Sequence, residues 1–104
     1  MWVHLNFGDA GLKRLFSRVH ACLRPGGKFL LEPQPWSSYR KRSHLTPEIA
    51  AHFGQIAMRP PAFVPYLLSD EGGFEAAEEV VVPYAEGEAA GFKRRPLVVL
   101  TKRA

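Results

Sequence analysis

Apolar residues recur at Leu12, Leu15, Phe16, Val19 and Leu23, the three-and-four spacing that turns one helix face toward a core. Lys13, Arg14 and Arg18 fall among the polar positions and give the same segment a solvated basic face. Asp9 precedes the stripe as the expected N-cap, and Cys22, close to the stripe, is expected to be buried. Arg24-Pro25-Gly26-Gly27 ends the helix with a cation, a residue that cannot continue it and glycines for the turn. Met1 to Phe7, ahead of this helix, reads as a short extended or irregular entry. Lys28 to Glu32 follows as a strand whose continuous apolar run, Phe29-Leu30-Leu31, predicts cover on both faces. Thr46-Pro47-Glu48 starts a second helix with a hydroxyl cap, a first-turn proline and an acid near the positive end of the dipole. Ile49, Ala50, Phe53 and Ile56 supply its buried side, and Gly54 limits its length. Arg59-Pro60-Pro61 breaks the chain, and Phe63 to Leu68 offers a helical turn or two, complicated by Pro65. A turn at Asp70-Glu71-Gly72-Gly73 leads into a strand from Phe74 to Val82, then a polar loop from Tyr84 to Gly91 and a last strand from Pro96 to Lys102.

The predicted order is helix, strand, helix, broken helix, strand, strand, with the last two strands able to pair as an antiparallel hairpin. A central strand needs a neighbour on each side, and no strand precedes the first helix. On this ground the chain resembles the second half of a larger α/β sheet. Its 104 residues allow one domain or part of one, and 46% hydrophobic content supports a packed core rather than disorder. No apolar run approaches the roughly 20 residues that span a bilayer, so no membrane partner is expected. The N-terminus lacks a basic region followed by an apolar one, so no secretory signal is expected. A single cysteine excludes an internal disulfide framework and fits a reducing, intracellular setting. His20, His44 and His52 do not form a metal constellation with one cysteine and no clustered acids, so no metal site is predicted.

Formal net charge is +4, which favours a polyanionic partner. The cations Lys13, Arg14, Arg18, Arg24, Lys28, Arg40, Lys41 and Arg42 dominate the first half, while the acids from Asp70 to Glu88 gather later. The most chemically dense stretch runs from Leu31 to Arg42. It leaves the first strand through Glu32-Pro33-Gln34-Pro35 and presents Trp36, Ser37, Ser38, Tyr39 and three consecutive cations. Ligands of open α/β sheets bind just outside the carboxyl ends of strands. A rigid turn followed by hydrogen-bonding groups and cations at such an end points to an anionic ligand.

Three segments carry a resemblance: Trp2-Val3-His4-Leu5-Asn6-Phe7-Gly8-Asp9, Leu23-Arg24-Pro25-Gly26-Gly27, and Leu31-Glu32-Pro33-Gln34-Pro35-Trp36-Ser37-Ser38-Tyr39. Together they resemble the methylphosphate capping enzymes, the bicoid-interacting-type RNA methyltransferases. The resemblance continues through Thr46 and Phe74 to the final strand. It implies an α/β fold, specifically the C-terminal half of a class I, Rossmann-like methyltransferase with a terminal antiparallel strand pair. It implies one partial domain over residues 1–104. It also implies use of S-adenosylmethionine to methylate the 5′ phosphate of a small noncoding RNA, in the nucleus or cytoplasm. The chain departs from the family where such enzymes hold their cofactor. The glycine-rich turn after the first strand and the acid after the second are missing, and Met1 replaces the residue expected before Trp2. The expectation is a chain that begins inside the parent domain and is inactive alone. The alternative is a non-catalytic paralogue or isoform that binds RNA or a protein partner.

Under this resemblance Arg40, Lys41 and Arg42 are candidates for RNA phosphates, or else a solvated loop. Ser37, Ser38 and Tyr39 are candidate donors to phosphate oxygens, or ordinary turn residues, and Gln34 is a candidate direct contact through its amide. Asn6 is a candidate polar contact to substrate or cofactor. His4, Glu32 and Trp36 are candidate site-orienting residues. Glu32 would orient a donor or accept backbone hydrogens, and Trp36 would stack on a terminal base or pack beneath the loop. A structural, hydrogen-bonded role competes with a catalytic one for His4.

Overall fold

The computed structural model describes residues 1–80 and 97–103. The first element, α1, spans Trp2–Cys22, with non-helical backbone at Gly8 (φ 72°, ψ −171°). That region of backbone space is essentially restricted to glycine, which explains the residue type at the break. Past the break, Gly11 lets the helix fold closely over the preceding turn, since a Cβ there would lie 2.2 Å from the Phe7 Cβ.

The entry from Met1 to Phe7, expected to be extended, is therefore helical. The physical reason is tertiary. A helical turn puts His4 and Leu5, both fully buried, on one side, where Leu5 joins Tyr39 and Ile49 in a small core. Asp9 does not serve as the expected cap; its carboxylate reaches across the fold instead, as described below. Cys22, expected to be buried, is exposed, because the inward stripe of α1 runs through Leu12 and Phe16 and turns Cys22 outward. Leu15, also on the expected stripe, is 38% exposed.

Strand β1 covers Lys28–Leu31, β2 covers Phe74–Val80 and β3 covers Leu97–Lys102. They form a sheet in the order β1-β3-β2, with β3 antiparallel to both neighbours. The expected antiparallel pairing of the last two strands is thus present, and β1 and β2 run parallel to one another on either side of β3. Glu75 is the extra residue where the register shifts between Phe74 and Ala76. Val81, Val82, the loop from Tyr84 to Gly91 and Pro96 lie outside the described residues.

The expected cover on both faces of β1 is not seen. Phe29 and Leu31 pack on the core while Leu30 is 61% exposed, as follows from period-two alternation in a strand with one packed face. Val98 and Leu100 of β3 point to that same face and meet Leu12, Phe16, Phe63, Leu67 and Phe74. Turn and strand are tied together at Gly26 and Gly27, whose backbone exchanges hydrogen bonds with Lys102 at 3.0 and 2.8 Å. The Lys102 ammonium donates to the His20 and Leu23 carbonyls, both at 2.8 Å, and so closes the carbonyl end of α1.

Three α-helices and a 3₁₀ turn lie between β1 and β2. The segment read as a basic loop contains a helix, α2, at Trp36–Lys41. The next helix, α3, spans Pro47–Gln55, and Thr46 caps it as expected, accepting from the Ile49 N–H at 3.1 Å. The break at Arg59 becomes a short 3₁₀ turn at Pro60–Ala62 that runs into α4 at Phe63–Leu68. Pro65 is tolerated there because the first turn of a helix has no internal partner for its N–H groups.

Candidate substrate-binding site

The backbone leaves β1 at Leu31 and turns through Glu32, Pro33, Gln34 and Pro35. Pro35 holds extended backbone (φ −67°, ψ 155°) at the start of α2, and its carbonyl accepts from Ser38 N–H at 2.9 Å. Along α2 the side chains then divide by direction. Tyr39 turns inward and is fully buried, while Arg40 and Lys41 are exposed and Arg42, Ser37, Ser38 and Gln34 are half-buried. Glu32 is exposed at the end of β1.

Tyr39 is not available as a surface donor in this arrangement. Its hydroxyl lies 2.8 Å from Nδ1 of His4, and Nε2 of His4 lies 2.5 Å from Oδ1 of Asp9. The other carboxylate oxygen of Asp9 accepts from the N–H groups of Ala57 (2.9 Å) and Met58 (3.1 Å). An ionised carboxylate can only accept, so His4 donates from Nε2 and accepts from the Tyr39 hydroxyl at Nδ1. The hydrogen-bond network therefore assigns the tautomer. Burial pushes the His4 pKa below its ordinary 6.5, outweighing the hydrogen bond and charge of Asp9, which act in the opposite direction. For Asp9, burial acts to raise the pKa, but the His4, Ala57 and Met58 donors together hold it below its ordinary 3.8. Burial, reinforced by the Asp9 charge, pushes the Tyr39 hydroxyl pKa well up. Neutral imidazole between a protonated phenol and an ionised carboxylate follows near pH 7.

His4 thus has both ring nitrogens engaged and no exposed edge. Nearby, the break at Gly8 interrupts the helical ladder, and His52 donates from Nδ1 to the Leu5 carbonyl at 3.0 Å. Asn6 is exposed, and its amide donates to the Trp2 carbonyl at 2.8 Å. Trp2 in turn carries the Arg42 guanidinium over its ring at 5.8 Å.

Trp36 packs beneath the loop. Its ring is stacked with Tyr39 (centroids 5.2 Å apart, 24° between planes) and with Phe53 (5.0 Å, 16°), and the Arg59 guanidinium lies 4.4 Å from its centroid. The fold brings His4, Trp36 and Tyr39 into one buried mount and leaves Arg40 and Lys41 outside it. Two contributors were not singled out from the sequence. Asp9 looked like a cap, and Arg59 looked like the start of a chain break. The only local signals are the Gly-Asp step at a helical irregularity and a cation ahead of two prolines.

The open groove on α1 does not have the chemistry to hold S-adenosylmethionine. The ribose of such a cofactor needs acceptors, and its sulfonium is a cation. The groove encloses about 220 Å³ and is lined by Phe7, Gly11, Arg14, Leu15 and Arg18, two cations and no carboxylate. Among the described residues every buried side-chain polar atom has a partner, and no group of three or more His, Cys, Asp or Glu is placed to hold a metal ion.

Comparison with known proteins decides the family, because the model of Bicoid-interacting protein 3 matches residues 1–102. The chain belongs to the Bicoid-interacting protein 3 family. It is 50% identical over 93 residues to the 7SK snRNA methylphosphate capping enzyme of Mus musculus, covering 89% of this chain and 14% of that protein. It is 45% identical over 101 residues to the U6 snRNA methylphosphate capping enzyme Amus of Drosophila melanogaster, covering 97% and 33%. A probable RNA methyltransferase of Arabidopsis thaliana is 42% identical over 96 residues, covering 92% and 30%. The chain therefore spans a third or less of the length of these Bicoid-interacting protein 3 relatives, and the match takes in both the β1–α2 stretch and the buried His4 mount.

Proposed function

We propose that this chain is the substrate-side part of an RNA methyltransferase that transfers a methyl group to the 5′ phosphate of a small noncoding RNA. The observation that carries the reading is the two-sided build of α2. Tyr39 and Trp36 are anchored inward by hydrogen bond and ring stacking, so Arg40 and Lys41 project from a fixed support at the carboxyl end of a strand. Ser37, Ser38 and Gln34 lie on the same turn, half-buried, as neutral donors for phosphate oxygens.

Residues 1–104 form part of one methyltransferase domain, the C-terminal half of a class I, Rossmann-like sheet. The parallel relation of β1 and β2, with β3 reversed between them, supports this reading, since an antiparallel strand near the edge of an otherwise parallel sheet is common in doubly wound folds. By family, the methyl donor is S-adenosylmethionine, and the enzyme acts inside the cell, in nucleus or cytoplasm. The candidate residues on and before α2 are assigned to the RNA.

Their chemistry suits that task. A terminal phosphate has a second pKa of about 6, so its oxygen is already anionic near neutral pH and needs no strong base. This agrees with a His4 that is neutral, buried and doubly engaged. What the phosphate needs is positioning by donors that do not quench the attacking oxygen.

The test is methyl transfer from labelled S-adenosylmethionine to a 5′-phosphorylated RNA, with the 104-residue chain alone and with the remaining length of its relatives joined to it. Activity is expected only in the longer protein. Replacing Arg40 and Lys41 together by alanine is expected to lower the slope of log affinity against log salt by about 1.4 for single-stranded RNA, two phosphates at about 0.7 each. Transfer by the short chain alone would overturn the partial-domain reading. Salt-sensitive RNA binding without any transfer by the longer protein would favour a non-catalytic RNA- or protein-binding role.

A further inference from the structure

We infer that Arg59 is a phosphate-binding residue of the RNA site, held in place by the Trp36 ring and by Asp9. The inference rests on the RNA-binding reading above and adds a residue to it from a different part of the chain.

Arg59 is anchored at both ends. At the side-chain end, its guanidinium sits 4.4 Å from the centroid of Trp36, closer than Lys13 over Tyr66 at 5.2 Å and Arg42 over Trp2 at 5.8 Å, the other two such pairs among the described residues. The ring it rests on is itself immobilised against Tyr39 and Phe53. At the backbone end, the two preceding N–H groups, of Ala57 and Met58, are held by Asp9. The following residue, Pro60, is buried and fixes its own φ. These contacts close a ring through the fold: Tyr39 to His4, His4 to Asp9, Asp9 to the backbone before Arg59, Arg59 to Trp36, and Trp36 back to Tyr39.

Despite these anchors, the Arg59 side chain is exposed. A cation–π contact leaves the N–H donors of a guanidinium to hydrogen-bond, and a pre-organised fork loses little rotamer freedom when it meets an anion. An exposed arginine that is rigid and over the first residue of α2 is therefore better placed to hold a phosphate than a mobile surface cation. It widens the cationic surface of α2 with a residue from beyond α3.

The test is fluorescence anisotropy of a short single-stranded RNA with the 104-residue chain, titrated across a salt series, for wild type, Arg59→Gln and Arg59→Lys. Arg59→Gln is expected to weaken binding several-fold at low salt and to lower the salt slope by about 0.7. Arg59→Lys is expected to keep the slope and bind more weakly than wild type, because an ammonium lacks the planar fork. Circular dichroism melts of the variants separate a structural effect, which would shift the midpoint and leave the slope alone. Running the series with 5′-monophosphate and 5′-hydroxyl RNA shows which phosphate is held. An effect confined to the former places Arg59 on the terminal group, and one common to both places it on the backbone. A wild-type slope in Arg59→Gln would overturn the inference while leaving the RNA-binding reading intact. A wild-type chain with no salt-dependent affinity would overturn both.

Discussion

Removing the Asp9 carboxylate should cost this fold more than any helix cap would. The side chain receives three N–H donors: His4 Nε2 at 2.5 Å, Ala57 at 2.9 Å and Met58 at 3.1 Å. In Asp9→Ala the exposed Ala57 N–H finds water, but His4 is 0% exposed and Met58 9% exposed, so their donors are left without partners. A buried unsatisfied donor costs about 1–3 kcal/mol, and two such groups with one partly relieved make about 3 kcal/mol. At about 4–8 °C per kcal/mol for a chain of this size, the melting midpoint should fall by about 15 °C. Asp9→Asn should cost much less, about 1 kcal/mol. The asparagine oxygen can accept from the two backbone groups and its amide can donate to His4 Nε2. His4 then changes tautomer and donates from Nδ1 to the Tyr39 oxygen.

The pH dependence follows from the same network. His4 titrates below 6.5 in the folded chain, so on acidification the unfolded chain takes up its proton first. That contribution is intact above pH 6.5 and is lost progressively below it. Asp9 titrates below 3.8 when folded, so its contribution is intact above 3.8 and is lost as pH falls through the folded-state value. Both make the wild type less stable in acid, beginning near pH 6.5. In Asp9→Ala nothing raises the His4 pKa any longer, so the loss that starts at 6.5 steepens. Urea melts followed by circular dichroism from pH 8 to pH 4 would measure this. An Asp9→Ala variant within about 0.5 kcal/mol of wild type at pH 7.5, with an unchanged urea slope, would refute the argument.

Two further perturbations test the scaffold. Gly8→Ala should destabilise the chain by about 1–3 kcal/mol in urea melts, because φ of 72° with ψ of −171° is strained for any side chain even though the space toward His52 is open at 3.7 Å. Lys102→Met should cost about 1–2 kcal/mol, since it removes two charge-assisted bonds to the carbonyl end of α1, and amide exchange near Leu23 should accelerate while α3 is unaffected.

Local rules carried several elements and failed where packing outvoted them. Thr46-Pro47-Glu48 marked the start of α3 because a hydroxyl cap and a first-turn proline act on the backbone beside them. Lys28–Leu31 and Leu97–Lys102 were legible for the same kind of reason, as short β-prone runs. Trp2 to Phe7 was not legible as helix, since its buried face consists of a histidine and one leucine whose partners are Tyr39 and Ile49. α2 was hidden by the two prolines before it and the cations within it, features that read as loop until Tyr39 and Trp36 find their inward partners. Both faces of β1 looked apolar, and only the placement of the helices shows that one face is packed.

The sequence by itself determined the family, the order of β1, α3, β2 and β3, and the gathering of cations just past the first strand. These are properties of neighbours in the chain, where periodicity, caps and charge density act over a few residues. Tertiary structure alone decided which groups turn inward. His4, Asp9 and Tyr39 are up to 35 residues apart, and Asp9 holds backbone 48 and 49 residues away. Hydrogen bonds and ring stacks of that span depend on how helices cross, so they convert Tyr39 and Trp36 from surface candidates into the mount that aims Arg40, Lys41 and Arg59 outward.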